Sequence, residues 1–412
     1  MKQFDVMVLG AGMVGLGTAL ALLSHGRSVA LVDRRGPAQE TSYGNAGLIQ
    51  AEAVMPYAFP RDLSVVLGTL TGRRTDARIA WRALASTAPW LVRYAANSGV
   101  RSVMKTARAN APLVARAVPS HRRLTERAQA LHLWKPGGYL RVYRDSAALE
   151  RAARAEEQVR DTFAIPSTVL GRDAVAALEP HLCADLAGAL HFSEPVKIDD
   201  PGDLGEAYAR LFEDEGGEIV SADAFALERD GAGFVLGAVR AREVVVALGP
   251  WSADFLSRFG VRIPLGVKRG YHRHFRAKGN AVLGRLVVDE DAGFVLSPNR
   301  RGIRVSTGAE FARRDDPPTP VQITQVERLA SGLFPIGEAV ESQPWLGSRP
   351  CMPDLLPMVG RIAKVPGLWA NFAHHHLGFT LGPATGELLA QMITGSETFT
   401  DPLPYAPARY GA

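Results

Sequence analysis

Phe4-Asp5-Val6-Met7-Val8-Leu9-Gly10-Ala11-Gly12-Met13-Val14-Gly15, an Ala/Leu-rich run to His25, and then Ser28-Val29-Ala30-Leu31-Val32-Asp33 decide how the rest of the chain is read. An apolar run, a glycine turn, a helical stretch and a second apolar run ending in an acid spell strand, turn, helix, strand. Gly10, Gly12 and Gly15 satisfy Gly-x-Gly-x-x-Gly, in which the glycines serve a tight turn, close backbone approach to a pyrophosphate, and helix–strand packing. The spacing alone is common. Here it follows a strand directly, opens a helix, and is completed by Asp33, 21 positions beyond Gly12. That context predicts a dinucleotide site, with free N–H groups of the helix N-terminus facing phosphate and Asp33 accepting from ribose hydroxyls. Arg34 after the acid suggests a 2′-phosphate, but Asp33 would repel one. A ribose with both hydroxyls free, as in FAD or NAD, is preferred.

Further out, Thr41-Ser42-Tyr43-Gly44-Asn45-Ala46-Gly47 and then Leu48 form a stretch rich in small and hydrogen-bonding residues, suited to wrapping a large cofactor. Val244-Val245-Val246-Ala247-Leu248-Gly249-Pro250-Trp251-Ser252 reads as a buried strand ending in a glycine turn, the place where ligands bind at a parallel sheet. Residues 52–135 read as mostly helical, and a β-rich region opens at Gly137-Gly138-Tyr139. Helices are expected over 146–163, over 201–215 with Asp200 as N-cap and Pro201 in the first turn, and over 382–393. Short strands are expected at 187–192, 242–247, 285–289, 293–297 and 303–307. Helix-rich and strand-rich pieces interleave, so two domains should share the chain discontinuously. The expected fold class is mixed α/β. A Rossmann-like nucleotide domain would take residues 1–50, about 140–250 and 345–412; a β-sheet substrate or cap domain would take about 51–139 and 251–344.

With 412 residues and 47% hydrophobic side chains, the chain can bury a sizeable core. No apolar run reaches the length of a bilayer span. Asp5, the glycines of the turn and the late position of Arg34-Arg35 argue against an export signal. Two distant cysteines, Cys183 and Cys351, exclude a disulfide framework and cysteine-rich metal sites, and a reducing cytoplasm is the default. No Gly-x-Ser-x-Gly elbow or Walker loop occurs. His374-His375-His376 invites a metal reading, but three consecutive side chains diverge and no acid cluster has ligand spacing. No metal is expected.

At these motifs the sequence resembles the FAD-dependent amino-acid oxidoreductases, a family including D-amino-acid dehydrogenases, glycine and sarcosine oxidases and D-amino-acid oxidase. The Thr41-to-Gly47 stretch resembles the bacterial D-amino-acid dehydrogenases in particular. Ala247-Leu-Gly-Pro-Trp-Ser252, Trp345-Leu-Gly-Ser-Arg-Pro-Cys-Met-Pro-Asp354 with Pro357-Met-Val-Gly360, and His374-His-His-Leu-Gly-Phe-Thr380 agree; Ala373 stands where that pattern usually has glycine. The resemblance implies FAD held by Gly10, Gly12, Gly15, Asp33, Arg34, Ser42, Asn45, Ala46, Gly47, Leu48, Gly249, Trp251, Gly378 and Thr380. It implies that Arg349 clamps a substrate carboxylate, placing Cα–H over flavin N5. Hydride transfer would give an imine, then a 2-oxo acid. Tyr271 is expected to orient the amine, with a core tyrosine as the rival reading, and His374 to lie near the isoalloxazine. The implied substrate is a small amino or imino acid, most simply of D configuration. Alternatives are a glycine, sarcosine or D-hydroxyproline type oxidoreductase, a flavoprotein subunit, or a tRNA-modifying flavoprotein.

Residues 73–123 hold eleven basic residues and one acid, Asp76. With Tyr57, Phe59, Val65, Val66, Leu67, Leu70, Trp81 and Trp90 nearby, residues 56–123 read either as an interfacial patch for anionic lipid or as a solvated helical face. The first reading predicts peripheral contact with the inner face of the cytoplasmic membrane and a respiratory quinone as electron acceptor. No known nucleic-acid module surrounds the basic residues, so no nucleic-acid partner is expected.

Overall fold

The opening strand Lys2–Leu9 lies in the middle of a parallel core, flanked by Val29–Asp33 on one side and Val239–Val246 on the other. The computed structural model describes residues 1–183 and 185–412. Val6 to Leu9, Val29 to Val32 and Val244 to Val246 are buried throughout, as parallel strands covered on both faces must be. Glu218–Ser221 extends the sheet beyond Val29–Asp33. Val239–Val246 divides its other edge: the first half pairs antiparallel with Gly233–Leu236, the second half parallel with Leu368–Phe372. Helices Met13–Ser24, Pro201–Asp214 and Gly378–Thr394 share one core, through Leu16, Leu20, Tyr208, Phe212 and Leu388.

The second sheet has eleven strands built around Gly266–Ala277, which pairs with Gly302–Thr307, Ala309–Phe311, Ile336–Ala339 and Trp345–Cys351. Helix Val321–Leu333 buries Ile323, Val326, Ala330 and Leu333 against it. Three short strands, Leu48–Ile49, Trp134–Lys135 and Val196–Ile198, form a separate small sheet.

Helix Ser146–Phe163 has the expected bounds, and Pro201–Asp214 is capped by Asp200, whose Oδ1 accepts from Gly202 N at 2.8 Å. The proposed division of the chain departs from the sheets in three places. Tyr139–Tyr143, Thr168–Gly171 and Gly188–Phe192 were expected in the nucleotide domain but hydrogen-bond into the second sheet. Trp345–Cys351 does the same. Conversely, helix Val100–Arg127, expected in the cap, packs Leu113, Val114, Ala117 and Leu124 into the core shared with Gly378–Thr394. Tyr139–Tyr143 finds its parallel partner in Leu286–Asp289, and no local pattern carries a pairing across that separation.

The last helix starts at Gly378, four residues before the expected position. Proline is tolerated in a first turn and costly further in, and Pro383 would sit in the first turn of a helix starting at 382. Here it lies inside the helix and removes the N–H that Phe379 O would have received. His121 Nε2 donates to that carbonyl instead, at 2.8 Å.

Candidate functional site

The glycine turn is shaped by what a side chain would strike. Gly10 has φ +101°, and a Cβ there would lie 2.5 Å from Ala247 O; one at Gly15 would lie 1.7 Å from Gly10 O. Gly12 is different, since its Cβ would meet only Ser42 Oγ at 3.2 Å and would fill the space before the helix N-terminus. Gly10 and Gly15 therefore serve packing, and Gly12 keeps the approach open. Asp33 Oδ2 accepts from Ala11 N at 2.9 Å, and Oδ1 accepts from Arg35 N and Gly36 N at 2.8 and 3.1 Å. Asp33, expected to accept from ribose hydroxyls, lines the cavity and also braces the turn. Arg34 lies over the Trp251 ring at 5.0 Å, and Arg314 lies at 5.4 Å from the same ring. Gly249, φ +53°, turns the chain out of Val239–Val246 beside them.

From this end a cavity of about 940 Å³ runs past Ser42, Asn45, Ala46 and Leu48 to Tyr57, Arg349 and His376. Its length, the open approach at Gly12, and two orphaned buried polar atoms on wall residues, Asn371 Oδ1 and His375 Nε2, fit an extended dinucleotide. Ser42 Oγ accepts from Met13 N at 2.9 Å, leaving its proton to donate. Asn45 Oδ1 is spent within its own turn, on Gly47 N and Leu48 N at 2.8 and 3.3 Å. Ala46 O accepts from Ser297 Oγ at 2.6 Å. Gly15, Gly47 and Thr380, expected at the cofactor, stand outside the cavity wall. Gly47, φ +77°, closes against Ile198 O. Thr380 Oγ1 accepts from Gln50 N and donates to Leu48 O, both at 3.2 Å, fastening the last helix to the wrapping loop. Gly378 opens that helix at the cavity wall.

Beneath the loop lies a clamp that the sequence reading missed. Arg304, fully buried, donates to Tyr43 O at 3.0 Å and to Asn45 O, while its Nε donates to His274 Nε2 at 2.9 Å. His274 Nδ1 reaches Glu341 Oε1 at 2.7 Å, and burial together with Arg304 holds the imidazole below its ordinary pKa.

At the far end, Arg349 and Lys268 are direct cross-strand partners. Arg349 folds over Gly270, where a Cβ would sit 2.6 Å from its guanidinium nitrogens. It donates to Gly308 O at 3.0 Å and has no carboxylate within ion-pair distance among the described residues. Burial lowers its pKa, offset only in part by Cys351 and Tyr57.

Tyr271 resolves toward its rival reading. Tyr271 is among the cavity-wall residues, but its hydroxyl accepts from Thr319 N at 2.7 Å and meets Glu310 Oε2 at 3.2 Å. It orders the Arg269–Glu310 ion pair rather than a substrate amine. His374 lines the cavity, yet Nε2 is bonded to Thr385 Oγ1 at 3.0 Å, and burial pushes the ring down to about 3. The histidine facing the far end is His376, 4.7 Å from the Tyr57 ring and also pushed down to about 3, by burial and then by Arg349, Lys268 and Arg141. Tyr57, Lys268, Arg141 and His376 were missed as site residues. Strand periodicity held a signal for Lys268, because it places Lys268 and Gly270 on one face and Arg269 and Tyr271 on the other.

Much of the basic segment is cavity wall. Val65, Val66 and Leu70 line it, and Trp90 and Tyr94 are buried against Cys351 and Leu355. Arg116 and Arg123 both pair with Glu387, and Arg74 pairs with Asp76. Leu63, Leu67 and Trp81 remain exposed.

A glycine-cradled dinucleotide cleft continuous with a cationic pocket on a second sheet defines a flavin-dependent oxidoreductase. Residues 5–392 match the FAD dependent oxidoreductase family, and the chain belongs to it, with FAD as its cofactor. The chain is 31% identical to a D-amino acid dehydrogenase of Paramagnetospirillum magneticum, over 95% of each chain. It is 27% identical to a D-amino-acid oxidase of Bradyrhizobium diazoefficiens, over 98% of each. Among solved structures, glycine oxidase from Geobacillus kaustophilus superposes with a TM-score of 0.75 at 22% identity, covering 99% of both chains.

Proposed function

We propose that the protein oxidises the Cα–N bond of a small amino acid, of D configuration, to an imine that water hydrolyses to the 2-oxo acid. The observation that carries this reading is Arg349, an anion-free guanidinium held over Gly270 at the cavity's far end. Its planar fork suits a carboxylate, which it would fix at two points. FAD, when bound, supplies a two-electron acceptor for the hydride leaving Cα. The chain's own residues set the substrate's charge state: His374 and His376 stay neutral near pH 7, and nearby Arg349, Lys268 and Arg141 disfavour an ammonium. The amine is therefore shifted toward its neutral form, whose lone pair assists loss of hydride. The names of the two curated relatives support the D configuration. An anaerobic screen of D-, L- and N-methyl amino acids, following bleaching of the flavin, tests it. D-amino acids should bleach fastest; bleaching by glycine or sarcosine alone overturns the assignment.

We further propose a quinone at a membrane surface as the acceptor, a reading supported by the exposed Leu63, Leu67 and Trp81 in a segment that also carries Arg73, Arg78 and Arg82. Each basic residue facing an anionic leaflet contributes about 1 kcal/mol. Sedimentation with anionic vesicles should fall as salt rises from 0.1 to 1 M, where the Debye length shrinks from about 10 to about 3 Å. Equal partition to neutral vesicles, or reoxidation by oxygen as fast as by a soluble quinone, contradicts it.

A further inference from the structure

The pocket holds one more cation than a simple amino acid requires. Lys268 stands directly opposite Arg349 in the antiparallel pair, so the two side chains leave the same face from neighbouring backbone positions. Both line the cavity. Neither has a carboxylate within ion-pair distance among the described residues, whereas Arg269, next in sequence and on the opposite face, is neutralised by Glu310 at 2.7 Å. Arg141, the third cation near His376, already has Glu156 at 3.0 Å and Glu290 at 3.4 Å. Lys268 Nζ donates to Tyr94 OH at 2.9 Å, and that hydroxyl's own proton goes to Tyr57 O. The other two ammonium hydrogens have no acceptor among the described residues. The rings of Tyr94, Phe311 and Trp90, at 4.1, 5.7 and 5.9 Å, surround the ammonium with π faces but supply no negative charge.

A buried ammonium without an anion is costly, and a substrate with a single carboxylate would satisfy Arg349 and leave Lys268 as it was. We propose that the substrate carries a second carboxylate bound by Lys268, making the preferred substrate an amino dicarboxylic acid of aspartate or glutamate size. This rests on the reading of Arg349 as the clamp for the α-carboxylate. The aromatic surround would then hold Lys268 extended toward the cavity, and the carbon chain between the two carboxylates would cross the sheet face above Gly270.

The test compares wild-type holoenzyme with Lys268→Met and Lys268→Arg, using anaerobic flavin reduction by aspartate, glutamate, alanine and methionine in both configurations. Wild type should prefer the dicarboxylic substrates, and Lys268→Met should shift the dicarboxylic-to-neutral ratio of kcat/KM toward neutral by about a hundredfold. Lys268→Arg should recover part of that ratio. As a binding readout free of turnover, succinate should raise the Tm of wild type more than propionate does, and the difference should vanish in Lys268→Met. Neutral amino acids reducing the wild-type flavin as well as dicarboxylic ones do, or succinate and propionate acting alike on wild type, overturn the inference whether or not Lys268→Met folds. Failure of every amino acid to bleach the flavin overturns the underlying amino-acid reading instead.

Discussion

Single residues here act through where they put charge, and Lys197 shows the cost. It is buried behind the wrapping loop, donates to Ile198 O and has no carboxylate within ion-pair distance among the described residues; burial and Arg304 push its amine down to about 7. Its folded pKa lies below the ordinary lysine value, so the charged form is penalised only in the fold. That penalty is complete below pH 7, is relieved as pH rises from about 7 toward 10.5, and is absent above it. Lys197→Met should therefore raise Tm, with a gap over wild type that is widest below pH 7 and narrows toward pH 10. Thermal melts of both proteins across that range check it, and a gap that grows with pH would refute it. At this scale the glycine turn, and the place of Asp33 and Arg349 on the cavity wall, were legible in the sequence because each belongs to a spaced motif. Ala373 was visible as a departure from the resembled pattern, and its φ of +65° shows why glycine suits that position. Lys197, Arg304 and Lys268 were not singled out, because a lone basic residue carries no local sign of being buried.

Between elements, the contact that fixes the cofactor end of the last helix is His121 on Pro383's unpaired carbonyl partner. His121 is buried and pushed down to about 4, so it is neutral; Nε2 donates to Phe379 O, leaving Nδ1 to pair with Tyr208 OH at 3.0 Å. His121→Phe would leave Phe379 O unsatisfied and should cost roughly 1–3 kcal/mol. Pro383→Ala in the same background restores an intrahelical donor and should recover part of the loss. Denaturant titrations of the two single variants and the double variant check this; additivity of the two changes would show that the residues do not communicate. Strand and helix positions followed from alternation and capping, since both are local. The last helix starts earlier than expected, with Pro383 in its interior, because His121, on a distant helix, serves the carbonyl that Pro383 leaves without a donor.

Over the whole molecule, two sheets built from interleaved segments meet along one cavity, with the nucleotide cradle on the first sheet and the cationic pocket on the second. That the sheets draw on interleaved segments was legible, because helical and strand patterns alternate without forming blocks. Which segment joins which sheet was not, since Tyr139–Tyr143 and Trp345–Cys351 find their partners far along the chain. The segment read as a basic surface proved in part to be the pocket's wall: Tyr57, Val65 and Tyr94 line the cavity, and composition cannot tell that direction from solvent. The central claim is that Arg349 holds the substrate carboxylate within this FAD enzyme. The direct test is the second-order rate of anaerobic flavin bleaching by the best amino-acid substrate in wild type, Arg349→Lys and Arg349→Ala, each with its FAD content measured. Arg349→Ala should lose about 3–5 kcal/mol of transition-state stabilisation, with partial recovery in Arg349→Lys. A rate for Arg349→Ala within about tenfold of wild type, only about 1.4 kcal/mol, would contradict it.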